Sequence, residues 1–305
     1  RSVQRISQEC AKGAVKVIDH SRATKRRVLE IVRAAKSFTD AAREQVKSSY
    51  SKLMGIARSV VNQAETVMSG VKEGTVAVVG KATRVVVESA KLAHFLPLVE
   101  NVLQQTKARV FEGNTHFKGK LVSIFEEHSQ VICKGKAHKA AEFGRLVRVD
   151  EVENGIVSNY HVCDGNASDE DQWVPALSEH KKIFGHAPKL ATADRGFSSA
   201  ANERAAEELG VKKVVLPRRG RLSEARKKLQ GQRWFKRAMK WRGNIEARIA
   251  TLKHRCDMVR AHYKGDTGFK RYTGWSVIAN NLTQIARARA QRKAQNHAQE
   301  AKRPA

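Results

Sequence analysis

The chain has 305 residues, with 58 Lys and Arg against 30 Asp and Glu, for a formal charge of +28. Such a surplus is self-repelling unless a polyanion takes it up, which favours nucleic acid as the partner. An apolar fraction of 41% argues against wholesale disorder, and with no apolar run near the roughly 18 residues a span needs and no signal-peptide pattern, neither a membrane-spanning nor a secreted chain is expected.

Residues 1–116 read as helices, because apolar residues recur at three- and four-residue steps, as in Val28, Ile31, Val32 and Ala35. Thr75 to Val87 is rich in valine and is assigned to helix because its flanks are helical. This basic region suits either a solvated bundle or a segment that binds DNA ends or dimerises, and the residues leave both open. Near residue 117 the texture changes to short runs that read as strands: Leu121–Phe125, Leu146–Val149 and Ile156–Val162. Asn154-Gly155 between the last two is a strong turn signal, so they are expected to form an antiparallel hairpin.

A helix is expected from Asp169 to Ile183, then a short buried strand, Lys189–Ala193, ending at Asp194. Ser198 or Ser199 can cap the next helix, which runs to about Leu209 and stops at Gly210. Val211–Leu216 reads as a further strand stopped by Pro217. The remainder is helical, with one long helix around Glu246 and another from Val277 to Arg289. Strands followed by alternating helices and strands predict an α/β fold, an RNase H-like mixed sheet flanked by helices. The expected organisation is a helical N-terminal region (1–116), an RNase H-like domain (117–286) and a basic flexible tail (287–305).

Working groups of open α/β sheets sit at the carboxyl ends of strands. Asp194 is there, followed by Arg195-Gly196, although capping the next helix would also explain it. Arg242, Glu246 and Lys253 are spaced so that one helix would present them on one face, within about 40° of one another. A surface ion-pair row at i,i+4 is the plainer explanation of Arg242 and Glu246. From Arg218 to Arg242 there are eleven Lys or Arg and one acid, Glu224, with Trp234, Phe235 and Trp241 among them. Basic charge follows a phosphate backbone and aromatic faces stack on unpaired bases, so Arg218, Arg219, Lys236 and Trp241 are candidate DNA contacts. The four cysteines form no C-x-x-C pair, and the histidines have no metal-finger spacing.

The stretch 242–253 (RGNIEARIATLK) resembles the signature of bacterial DDE transposases, with Arg242, Glu246 and Lys253 on three of its four positions. Met239 stands where the family has tyrosine, with Trp241 nearby. The stretch 191–197 (ATADRGF), with Asn202, is similar to the family's second-aspartate segment. KGK at 134–136, EFG at 142–144, RYTGW at 271–275 and IANNL at 278–282 extend the resemblance to one unclassified group of insertion-sequence transposases, over a little more than half the chain.

The resemblance implies metal-dependent DNA cleavage followed by strand transfer, with Asp194 and Glu246 holding Mg²⁺ or Mn²⁺, two ions in all. Arg242, Lys253 and Arg195 would contact phosphates. It also implies transposon ends and target DNA as partners, a homodimer on DNA, and a cytoplasmic, nucleoid-associated location. A first-strand acid is needed too, yet no Asp lies between Asp40 and Asp150. Glu126, in phase with Val122 and Ile124 if 121–125 is a strand, is the candidate, with Asp150 as the fallback. A metal-dependent nuclease without strand transfer and an inactive transposase-derived DNA-binding protein are the competing functions.

Overall fold

A computed structural model describes the chain except residues 137–138, 219 and 301–305, together with the side chains of 133–140 and 297–300. The chain divides into two compact units, Arg1–Phe125 and Glu126–Ala305.

The first unit is helical: α1 (Ser2–Glu9), α2 (Ser21–Ala34), α3 (Asp40–Lys72) and α4 (Ala82–Val110). Its core gathers Val3, Ile6 and Cys10 of the first segment with Ala64, Val67 and Val85. Helix α4 starts later than expected. Residues 75–81 form a loop instead, in which Val78 bridges Cys10 and Val79 and Gly80 donate to the carbonyl of Glu9. Two buried carboxylates join α1 to the start of α4. Glu9 accepts from Arg84 and from the backbone N–H of Lys81, each at 2.7 Å. Glu88 accepts from Lys91 at 2.8 Å and Arg5 at 3.0 Å.

The hydrogen bond from Lys91, with those from Ser2 and Arg5, holds the Glu88 carboxyl down from its ordinary 4.5 to about 2. The bond from Arg84 likewise lowers Glu9. A carboxyl with a depressed folded-state pKa adds stability that is complete above the unfolded value and is lost as pH falls through the folded one. The melting temperature of the wild type is therefore expected to fall between pH 4.5 and about 2. Glu88→Gln should lower stability at neutral pH and flatten that dependence, as read by circular dichroism across the window. An equally steep dependence in the variant would remove Glu88 as its source.

The run expected as the first strand, Leu121–Phe125, is not a strand. The side chain of Gln105 on α4 takes both backbone groups of Leu121, accepting from its N–H at 2.9 Å and donating to its carbonyl at 2.8 Å. Phe125 packs edge-on against Phe95 of the same helix. A helix side chain has supplied the partner that a neighbouring strand would have given.

In the second unit the strands among the described residues pair two by two. Strands β1 (Gln130–Lys136) and β2 (Lys139–Gly144) form an antiparallel hairpin that the sequence pattern did not mark. The motifs at 134–136 and 142–144 fall on it, the side chains of the former lying outside the described residues. Strands β3 (Val147–Glu151) and β4 (Val157–Val162) form the expected hairpin. Asn154 and Gly155 take φ values of 62° and 73°, the left-handed conformation that these two residue types adopt most readily.

Helix α5 (Trp173–Phe184), strand β5 (Leu190–Thr192), helix α6 (Ala200–Glu208) and strand β6 (Lys213–Val215) follow in the expected order. Strands β5 and β6 are parallel. Ser199 caps α6 by accepting from Asn202 N–H at 3.1 Å, and Gly210, at φ 100°, ends its last turn. Both faces of this pair are covered. Ala191, Val214 and Leu216 pack with α5 and α6, while Leu190 and Val215 pack with α7 (Glu224–Gly231) and α8 (Arg233–Arg242). Period-two alternation between two apolar layers is what a buried parallel pair requires.

The β3–β4 hairpin packs on α9 (Asn244–His254) and α10 (Gly265–Glu300) through Val149, Val157, Leu252 and Val277. Helix α10 runs on to Glu300, through much of the stretch expected as a tail. The IANNL motif is explained here. Asn281 accepts from Val157 N–H and donates to its carbonyl, both at 2.9 Å. Asn280, fully buried, donates to the Gly155 carbonyl and accepts from Arg248. In RYTGW, a side chain at Gly274 would meet the Tyr160 hydroxyl at 2.7 Å. Tyr272 donates to Asp257 at 2.6 Å, which pushes its phenol up to about 12.

Asn281→Ala strips strand β4 of both bonds. It is expected to cost about 1–3 kcal/mol, since each backbone group left unpaired forfeits its desolvation. Urea unfolding monitored by fluorescence checks this, and an unchanged midpoint would deny the clamp.

Candidate functional site

Asp194 sits two residues past the end of β5, at the position expected from the sequence. Its carboxylate accepts from Arg195 N–H at 2.7 Å and caps a short 3-10 turn, Arg195–Phe197. Its side chain is 68% exposed, so capping leaves most of the group open to solvent. Arg242 reaches it from the end of α8, with Nη1 3.6 Å from Oδ1. That guanidinium is only 19% exposed.

Thr192 Oγ1, Ser198 Oγ and Arg242 Nε are buried polar atoms with no hydrogen-bond partner among the described residues. Thr192 and Ser198 lie within four residues of Asp194, and Arg242 faces it. Beside it opens a cavity of about 390 Å³ lined by Glu170, Arg195, Gly196, Ser198, Ser199, Ala200 and Arg218.

The expected single helix carrying Arg242, Glu246 and Lys253 is broken at Gly243. Arg242 ends α8, whereas Glu246 lies in the first turn of α9 and Lys253 near its end, both exposed. Arg242 pairs with Asp194 rather than with Glu246. Met239, at the position where the family has tyrosine, packs against the Val215–Phe235–Ala238 cluster.

Glu126 is not on a strand, so the phase argument for it does not hold. Its carboxylate accepts from Gly265 N–H at 3.1 Å and lies 3.6 Å from His128, at the start of α10. Asp150 is gripped by Arg148 through both oxygens and by Asn159 at 3.1 Å. Another acid, Asp169, taken from the sequence only as the opening of a helix, lies against Gly196. Among the described residues no group of three or more His, Cys, Asp or Glu side chains is placed to hold a metal ion. Asp194 and Glu246 are hard oxygen donors of the kind Mg²⁺ takes, but the complete set is not assembled.

The basic candidates divide clearly. Arg195 is exposed at the cavity, and Arg218 shares Glu203 with Arg226 through two 2.7 Å ion pairs. Arg219 lies outside the described residues. On α8, Phe235 and Ala238 face the core, leaving Arg233, Lys236, Arg237, Lys240 and Trp241 exposed at one-turn intervals. Trp234 is half-buried under Lys213, whose Nζ lies 5.3 Å from its ring, and Phe235 is 2% exposed. Of the three aromatics in this segment, Trp241 is left to meet a partner. A helix face of that charge suits a polyanion.

A family model described as transposase DDE domain matches residues 127–282, about half the chain. No curated protein and no solved structure matches it. No described helix is long and apolar enough to cross a membrane.

Proposed function

Since the chain belongs to the transposase DDE domain family, we propose that it is the transposase of a bacterial insertion sequence, cleaving DNA at the element's ends and joining them to a target. The observation that carries this reading is Asp194, exposed at the end of β5 and answered by Arg242. In this reading Asp194 and Glu246 are two of the three acids. Arg242 and Lys253 neutralise phosphates near the cut, Arg195 and Arg218 contact a neighbouring phosphate, and Lys236 and Trp241 hold the flanking strand. An RNase H-like catalytic domain, action as a homodimer on paired ends, and work in the cytoplasm on the nucleoid belong to the same proposal.

Cutting a phosphodiester requires an activated oxygen and relief of charge at phosphorus, and Mg²⁺ or Mn²⁺ would supply both when bound. The part this chain's own residues can play is electrostatic. Arg242 stands ready to trade Asp194 for a phosphate, with a guanidinium already largely withdrawn from water, where each charge contact is worth more.

The test is nicking of supercoiled plasmid with and without Mg²⁺ or Mn²⁺, comparing the wild type with Asp194→Asn and Glu246→Gln. Metal-dependent nicking that both substitutions abolish supports the reading. DNA binding without cleavage in the wild type would turn it to an inactive, transposase-derived binding protein. Cleavage without joining of donor ends would turn it to a nuclease.

A further inference from the structure

We propose that the loop after α9 and the first turns of α10 form a stacking platform for an unpaired nucleic-acid strand, built from His262, Tyr263, Tyr272 and Trp275. This rests on nucleic acid being the partner, not on the chemistry at Asp194. The RYTGW motif at 271–275 leads to it. Packing accounts for Gly274 and for the buried Thr273, but Arg271 and Trp275 are turned out to solvent. Trp275 is 60% exposed, Tyr263 48% and the His262 side chain 61%. A single exposed ring is ordinary on a protein surface, whereas a connected group of them marks a contact site.

The rings are held in place rather than loose. Tyr272 donates to Asp257 at 2.6 Å, and His262 Nε2 lies 3.4 Å from the same oxygen. The Tyr272 ring centre is 5.6 Å from that of His262 and 5.5 Å from that of Tyr263, at interplanar angles of 60° and 71°. Neither neighbour is therefore stacked face to face upon it. Gly268, one turn before Tyr272, gives the loop room, since a side chain there would press on Tyr263 Cβ at 3.1 Å and on its carbonyl carbon at 3.2 Å. Beneath the loop, Met258 N–H donates to the Leu252 carbonyl at 3.0 Å, and the Met258 side chain packs on the Val157–Leu252–Val277 core. Trp275 follows Tyr272 by three residues, the spacing of neighbours on a helix surface. Rings fixed in advance lose little freedom when a ligand arrives.

Charge selects the occupant. From Lys253 to Arg271 there are six Lys or Arg, all exposed, against two acids. Both acids are engaged: Asp257 by Tyr272 and His262, and Asp266 by Arg145 and by Lys270, the latter at 2.7 Å. What this surface offers a partner is aromatic and basic. Basic groups follow a phosphate backbone, and aromatic faces take the bases of a strand whose bases are not already paired. A duplex would meet the charges alone, so the rings set a preference for an open strand.

The experiment measures binding of the full chain to a labelled oligothymidylate and to a blunt duplex by fluorescence anisotropy. The comparison is wild type, Tyr263→Ala, Tyr263→Phe and Trp275→Ala, each checked for melting temperature. Tyr263→Ala should weaken oligothymidylate binding about 5- to 100-fold, the scale of one lost base–aromatic stack, and leave duplex binding nearly unchanged. Tyr263→Phe keeps the ring and should bind both DNAs as the wild type does. Trp275→Ala, at an exposed helix position, should act in the same direction as Tyr263→Ala and repeats the test if the loop does not tolerate that change. Wild-type single-strand affinity in both alanine variants, or equal losses on the two DNAs, would overturn the platform and leave the transposase reading standing. A wild type that binds neither DNA would remove nucleic acid as the partner, and the platform and the transposase reading with it.

Discussion

Asp194→Asn is expected to reduce metal-dependent nicking at least roughly 10³-fold, the scale on which removal of a central charged group acts in enzymes whose residues work as a unit. Asparagine keeps an oxygen where Oδ1 accepts from Arg195 N–H, so the cap and the 3-10 turn survive. The charge is what disappears. Arg242, 3.6 Å away, then loses its counter-ion and can bind phosphate more tightly, so DNA affinity should stay level or rise while cutting stops. That split is the informative part. A folding defect would lower both, and loss of a phosphate contact would lower binding first. Gel-shift affinity and nicking measured on one preparation decide it. Nicking at the wild-type rate would mean that the chemistry lies elsewhere in the chain.

The second large effect is on DNA affinity. Replacing Lys236, Arg237 and Lys240 together by glutamine removes three charges from the exposed face of α8. Glutamine is a good helix former, and the buried Phe235 and Ala238 are untouched, so the helix should persist. Each phosphate contact contributes about 0.9 to the slope of log K against log salt, so the slope should fall by about 2.7. Affinity near 0.1 M salt should fall roughly 10²- to 10³-fold for every sequence alike, since backbone contacts carry no base readout. Trp241→Ala should weaken binding to frayed or single-stranded ends more than to duplex, because stacking needs an open base. An unchanged salt slope in the triple variant would show that DNA does not cross this face.

Much of the second unit could be read from residue order. The Asn154-Gly155 turn, the Ser199 cap, the Gly210 stop and the strand before Asp194 are local signals, and each stands where it was expected. They are legible because their physics is local: a positive φ, a capping hydroxyl and an alternation of period two depend on a few neighbouring residues. The family motif around Glu246 was equally visible. Its geometry was not: α8 ends before Gly243 and packs against β5 and β6 through contacts distant in the chain.

The run Leu121–Phe125 shows the opposite case. Its apolar pattern suits a strand, but strand formation needs a partner, and Gln105 of α4 took the backbone groups of Leu121 first. The same holds for the aromatics near α8. Composition cannot tell which ring is buried, and packing sent Phe235 inside, put Trp234 under Lys213 and left Trp241 out. By itself, then, the sequence determined charge, the order of elements from β3 to β6, turns, caps and family. Tertiary structure decided which strand run pairs, which arginine answers Asp194, and that Asp169 reaches Gly196. Those three outcomes rest on contacts between residues far apart in the chain, where competition among partners sets the result and no local pattern records the winner.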